Sequence, residues 1–145
     1  MLRIVYRNAQ RNMPTAEGIG SGPQGRINKL RRLVTNLLRF ERIEDKAFYL
    51  DESRGYAELI VQEALKHGDK HKPTMDMLDY WILEKDLIYK LFNELIPRYK
   101  SYDKSITKIY QLPTVFPGKG VKLGVLELKG EIFNFLFCNK IAYRC

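Results

Sequence analysis

The chain of 145 residues carries 25 Lys and Arg against 17 Asp and Glu, a formal charge of +8, and 45% of its residues are hydrophobic. That length suits one domain with a real core, burying roughly 68–70% of the unfolded surface. The longest strongly apolar run, Ile132 to Cys138, falls far short of the roughly 20 residues a membrane-spanning helix needs, and cysteines at only Cys138 and Cys145 exclude a disulfide-stapled secreted scaffold.

The charge is unevenly spread. Residues 1–50 hold 10 basic against 4 acidic side chains, residues 51–95 hold 6 against 10, and residues 96–145 hold 9 against 3. Two basic ends around an acidic middle fit a densely negative partner touching both ends, and nucleic acid matches best. A basic surface without a polyanion partner is the plainer alternative.

In chain order, Arg3, Arg7 and Arg11 recur every four residues with no acid before Glu17. This resembles a mitochondrial targeting helix, and a phosphate-binding arm fits the same residues. Pro14, Gly18, Gly20, Gly22, Pro23 and Gly25 then predict a linker or loop. From Pro23 to about Phe40, the apolar Ile27, Leu30, Val34, Leu37 and Leu38 recur at helical spacing, with Arg26, Lys29, Arg31, Arg32 and Arg39 on the remaining arc. The spacing predicts a basic amphipathic helix, with Pro23 in the first turn, where its missing amide hydrogen has no cost.

A short extended stretch is expected at Arg42 to Glu44, and a second helix at about Asp51 to Lys66, with Tyr56, Leu59, Ile60 and Ala64 inward and Gly68 ending it. Pro73 opens a third helix through Met75, Leu78, Trp81 and Ile82. Asp86 is expected to cap a fourth carrying Leu87, Ile88, Leu91, Phe92 and Leu95, stopped by Pro97. The period then changes: Ile106, Ile109 and Leu112, and later Val121, Leu123, Val125, Leu126 and Leu128, read as two strands forming a hairpin across a Pro- and Gly-rich loop. The expected fold is α+β, with about four helices and a small sheet: an N-terminal arm over 1–22, a domain over 23–129 and an apolar extension over 130–145.

Several constellations invite chemistry. Gly20, Gly22 and Gly25 satisfy a dinucleotide-binding spacing, but no apolar strand precedes them, so a loop entering a helix explains them better. Arg26 beside that helix start could still hold a phosphate. His67 and His71 lack a third ligand at suggestive spacing, which favours solvated loop histidines. Cys138 sits among Phe135, Leu136 and Phe137 like a small buried hydrophobe, without a histidine to activate it. Asp76, Asp79, Glu84 and Asp86 could imitate a two-metal nuclease cluster, against which stands an ordinary solvated helix face. Trp81 reads as a core anchor.

Particular strings then matter: Leu30-Arg31-Arg32-Leu33-Val34, Leu38-Arg39-Phe40-Glu41-Arg42-Ile43-Glu44, Arg54-Gly55-Tyr56-Ala57-Glu58 and Lys90-Leu91-Phe92-Asn93-Glu94-Leu95-Ile96-Pro97-Arg98-Tyr99. In this order, over roughly residues 22–129, they resemble the bacterial-type large-subunit ribosomal protein L17 family. The Gly22-Pro23 helix entry and the run Trp81 to Ile88 resemble its mitochondrial branch. The resemblance implies a structural protein without catalytic activity or cofactor, bound to large-subunit ribosomal RNA near the polypeptide tunnel exit, beside other mitochondrial ribosomal proteins. It also implies RNA contacts from Arg26, Lys29, Arg31, Arg32, Arg39 and Arg42, and later from Arg98, Lys100 and Lys108. A free mitochondrial RNA-binding module is the alternative. The chain departs from the family pattern in its sparser basic N-terminus, in Phe40 where a histidine is usual, and in the turn Lys104 to Lys108. The tail Glu131 to Cys145 has no bacterial counterpart and is expected to pack on this domain or on a neighbouring protein.

Overall fold

The computed structural model describes residues 22–102, 105–113, 120 and 122–130. Residues 1–21 of the N-terminal arm, Val121, Lys104 and the tail from Glu131 with both cysteines lie outside the described residues, while Gly22, expected in the arm, opens the first helix. Helix α1 (Gly22–Phe40) buries Leu30, Leu33, Val34, Leu37 and Leu38, the stripe its periodicity predicts, while Ile27 near its start is only half-buried. Each such leucine contributes about 1.5–3 kcal/mol by leaving water.

Strand β1 (Arg42–Lys46) follows at once. Helix α2 (Ala47–His67) starts four residues earlier than expected and buries Leu50, Ala57, Ile60, Val61 and Ala64. Gly68, at φ 68°, ends it by returning its N–H to the Ala64 carbonyl, a conformation that glycine adopts without steric cost. Helix α3 (Lys72–Trp81) opens with proline in its first turn and buries Leu78 and Trp81. The Trp81 ring stacks on Tyr56 at 4.6 Å, joining α3 to α2.

The fourth helical region departs from expectation at both ends. Asp86 is its first helical residue and makes no capping bond. Nor does Pro97 stop it: α4 (Asp86–Lys90) runs through a π-helical stretch, Leu91–Leu95, into α5 (Ile96–Tyr99). The Ile96 N–H reaches back five residues to the Leu91 carbonyl. The widened turn places Pro97 within the first two positions of a new helical segment, where the fixed φ of proline suits the helix. Leu87, Leu91, Leu95 and Tyr99 keep one buried row through the change.

Strands β2 (Thr107–Gln111) and β3 (Leu123–Leu128) form the expected antiparallel hairpin, and β1 pairs antiparallel with the other edge of β3, giving the order β1-β3-β2. Ile43, Leu126 and Ile109 share one rung, and Leu128 sits beside Thr107, all on the face that packs against the helices. The opposite face carries the rung Arg42, Glu127 and Lys108. At Gly124 a Cβ would meet the Tyr110 carbonyl oxygen at 2.9 Å and Leu50 at 3.3 Å, so glycine lets the start of α2 lie close on the central strand. Among the described residues, no helix is long and apolar enough to cross a membrane.

Candidate RNA interface

Helix α1 supplies the site's scaffold. With one arc in the core, Arg32, Asn36, Arg39 and Phe40 share the exposed arc. A second row, Arg31, Thr35 and Arg39, runs along the seam with α3 and α4. The Arg31 guanidinium lies 4.5 Å from the centre of the Tyr80 ring. The Thr35 hydroxyl donates to the Arg31 carbonyl at 2.8 Å and accepts the Leu83 N–H at 3.2 Å. Arg39 pairs with Glu84. On the sheet side of the helix, Lys29 sits 3.4 Å from Asp45 and 3.9 Å from the Tyr49 ring centre. Arg26 is drawn inward onto Glu52, leaving its side chain only 12% exposed.

The end of α1 is locked by Glu41. Its backbone is left-handed at φ 58°, its N–H bonds the Leu37 carbonyl and its carbonyl accepts from Leu128 N–H. Its buried carboxylate bridges Lys90 at 2.9 Å and Arg98 at 2.5 Å, while Lys90 also donates to the Arg39 carbonyl at 3.1 Å. One residue therefore ties α1 and the sheet, through its backbone, to the fourth helical region, through its carboxylate. The following residue, Arg42, bonds Glu44 at 3.2 Å and Glu127 at 3.1 Å.

The six cations expected in the first segment thus lie on α1 and the start of β1. Arg98 reaches them through Glu41. Lys108 lies across the sheet from Arg42, on the far side of Glu127, with its ammonium 4.8 Å from the Tyr110 ring centre. Lys100, just past α5, is exposed. Only Arg32 and Lys100 of these nine have side chains without an intramolecular ion pair, hydrogen bond or ring contact among the described residues. Ion-paired arginines still present guanidinium edges in fixed positions: Arg39 stays 44% exposed and Arg42 35%. Held this way, each loses little side-chain entropy on meeting a phosphate. The enclosed Arg26 serves mainly to join α1 to α2.

Sequence reading missed two carboxylates, Glu41, which holds Arg98 beside the end of α1, and Glu58, which ties the start of β2 to α2. The available signal for Glu41 was an acid immediately after a helix that has no glycine to end it. Glu58 on α2 accepts hydrogen bonds from the Ser105 hydroxyl at 2.5 Å and from Thr107, and faces Arg54 at 3.5 Å. Burial pushes its carboxyl up, but those two hydroxyls and the Arg54 charge outweigh burial and hold it below the usual value of 4.5. A depressed folded pKa contributes stability above the unfolded value and loses it as pH falls through the folded one. Replacing Glu58 with Gln is accordingly expected to cost about 1–2 kcal/mol at neutral pH. In urea titrations the gap to the wild-type chain should narrow as pH falls below the usual value of 4.5 and close as pH passes through the lowered folded value. A gap that persisted into acid would show that the negative charge is not what holds the start of β2 to α2.

The other constellations have structural partners. His67 faces Glu63 at 3.4 Å, His71 Nδ1 lies 2.8 Å from the Thr74 hydroxyl, and the two rings stack at 4.4 Å. Among the described residues, no three His, Cys, Asp or Glu side chains converge as a metal site. Asp79 pairs with Lys85 and Glu84 with Arg39. Gly22 to Gly25 form the first turn of α1. Burial pushes the Tyr99 hydroxyl above its ordinary pKa, and it donates to the Lys129 carbonyl at 2.6 Å, securing the end of β3.

Comparison with known proteins places this geometry in a family. The family model described as Ribosomal protein L17 matches residues 29–129. The chain is 34% identical over 110 residues to large ribosomal subunit protein bL17 of Caldanaerobacter subterraneus subsp. tengcongensis, covering 76% of this chain and 95% of that protein. It is 34% identical over 116 residues to bL17 of Geobacter metallireducens, covering 80% and 63% respectively. It is 32% identical over 110 residues to bL17 of Clostridium acetobutylicum, covering 76% and 93%. The matched region begins within α1 and ends just past β3, spanning eight of the nine expected cations, all but Arg26, and the chain belongs to the ribosomal protein L17 family, whose members are structural proteins of the ribosome and not enzymes.

Proposed function

We propose that this chain is a structural constituent of the mitochondrial large ribosomal subunit, where it binds and stabilises large-subunit ribosomal RNA near the polypeptide tunnel exit. Its relatives are large-subunit ribosomal proteins. The observation that carries the reading is the row of cations held in place along α1 and into β1, on a chain of net charge +8. Phosphate contacts from such a row position a protein on folded RNA without reading its sequence. The RNA contacts expected from Lys29, Arg31, Arg32, Arg39, Arg42, Arg98, Lys100 and Lys108 belong to this proposal, graded by how much of each side chain is free to reach a phosphate, whereas Arg26, enclosed against Glu52, is assigned to the fold. The mitochondrial placement rests on the Arg3, Arg7 and Arg11 pattern and on the strings at Gly22-Pro23 and Trp81 to Ile88. The tail from Glu131 is assigned to a neighbouring protein of the subunit or to this domain.

Sedimentation tests the reading directly. A tagged copy in a mitochondrial lysate is run through gradients at moderate and high salt, with the tag and the large-subunit RNA followed together. Co-migration that survives high salt is the expected result. A tag that remains at the top of the gradient overturns it and favours a free RNA-binding module.

A further inference from the structure

Phe40 is 63% exposed at the last position of α1. Single exposed apolar side chains are common on protein surfaces, and Phe40 is set apart by its place among the arginines of α1. Two arginines stand near it: the guanidinium of Arg39, paired with Glu84, lies 6.0 Å from the ring centre, and Arg32 precedes it by two turns on the same exposed arc, with Asn36 between them. Its backbone is held on both sides, by the Leu37 carbonyl accepting the Glu41 N–H at 2.8 Å and by Lys90 donating to the Arg39 carbonyl. The ring therefore projects from a fixed point, at a helix end where the left-handed Glu41 turns the chain away.

We infer that Phe40 is a stacking platform for an unpaired RNA base, with Arg32 and Arg39 neutralising the phosphates that flank it. Resting on the RNA-binding reading above, this adds to it a contact with single-stranded rather than helical RNA. Every nucleobase has a π-face, so an aromatic ring beside phosphate-binding cations accepts a splayed-out base without hydrogen-bond readout. An arginine next to the stacked pair adds a cation–π contribution. A duplex offers no exposed base face, and only its phosphates would reach Arg32 and Arg39. A neighbouring protein's apolar pocket is the competing occupant. It would value the ring's bulk and not its aromaticity, and it would not need the two arginines.

The test uses the purified full chain and two RNA probes of equal length: a stem–loop with 2-aminopurine in its unpaired loop, and a fully paired duplex. The wild-type chain is expected to prefer the stem–loop and to quench the 2-aminopurine emission. Phe40→Ala and Phe40→Leu should both lower the stem–loop preference by about 5- to 150-fold, the range of a single base-stacking contact. Phe40→Tyr should retain the preference, as should Tyr89→Ala, which removes a 74% exposed ring on α4. Thermal unfolding of each variant checks that the fold is intact. If Phe40→Leu behaves like the wild-type chain, or if the wild-type chain shows no stem–loop preference while still binding both probes, the stacking platform is overturned and the RNA-binding reading stands. If neither probe binds in a salt-dependent way, the RNA-binding reading itself falls.

Discussion

Replacing Glu41 with Gln is expected to lower the free energy of unfolding by about 2–4 kcal/mol, the largest effect anticipated for a single neutralising change in this fold. The carboxylate is only 5% exposed and faces two cations from one helical region, Lys90 and Arg98, whose side chains are 22% and 27% exposed. Glutamine keeps the shape and one acceptor but leaves both cations without a counter-charge in a partly dry site. Their residual access to water places the cost toward the lower part of the range that removal of one buried partner produces. A second variant separates charge from backbone. Glu41→Gly also loses both bridges, yet glycine accepts φ 58° without the roughly 1–2 kcal/mol penalty of an L side chain. It is therefore expected to be less destabilised than Glu41→Gln, by about 1 kcal/mol. Guanidinium titrations of the three proteins decide the matter. Equal midpoints for wild type and Glu41→Gln would mean that the carboxylate does not hold α1 to the fourth helical region.

What the sequence revealed, and what it did not, divides along the distance between interacting residues. The buried row of α1 was legible because Leu30, Val34, Leu37 and Leu38 repeat within one helix, and local periodicity needs no knowledge of the partner. The β2–β3 hairpin was legible for the same reason, as two apolar runs around a Pro- and Gly-rich loop. The place of β1 beside β3 was not, because Ile43 and Leu126 meet across 83 positions of chain and nothing local to Arg42–Lys46 names that partner. Pro97 misled because a local rule was overridden by packing: Leu91, Leu95 and Tyr99 gain more by staying in one buried row than the π-helical stretch costs.

The interface was half legible in the same sense. Its cations are visible as Arg and Lys on the polar arc of a helix. Their counter-ions are not, since Arg26 finds Glu52 across 26 positions and Arg98 finds Glu41 across 57. A charge count treats these side chains as equally available. The fold makes them unequal, enclosing Arg26, anchoring Arg39 and Arg42 at one edge, and leaving Arg32 open. Phe40 was visible only as a departure from a family pattern, because exposure cannot be read from a residue that stands one step past an apolar stripe.

That inequality yields the sharpest expectation for binding. The side chains of Arg32 and Lys100 have no intramolecular partner among the described residues, so removing both as Ala should leave the unfolding midpoint unchanged while weakening RNA association. Each lost phosphate contact on helical RNA lowers affinity by about fivefold at ~0.15 M salt, or about 25-fold for the pair, and reduces the slope of log K against log salt by about 0.9 per contact. Arg26→Ala should do the reverse. Its side chain is 12% exposed and pairs with Glu52, itself 9% exposed, so the substitution strands a buried carboxylate and costs stability, while the salt slope barely moves. Measuring affinity for transcribed large-subunit ribosomal RNA at several salt concentrations, alongside unfolding, places the three residues on two axes. An unchanged salt slope in the Arg32→Ala, Lys100→Ala chain would remove those residues from the interface. A reduced slope in Arg26→Ala at full stability would make that arginine a phosphate ligand after all. The expected pattern, with one variant moving along each axis, would establish that some arginines of this basic helix bind RNA and that others serve the fold which presents them.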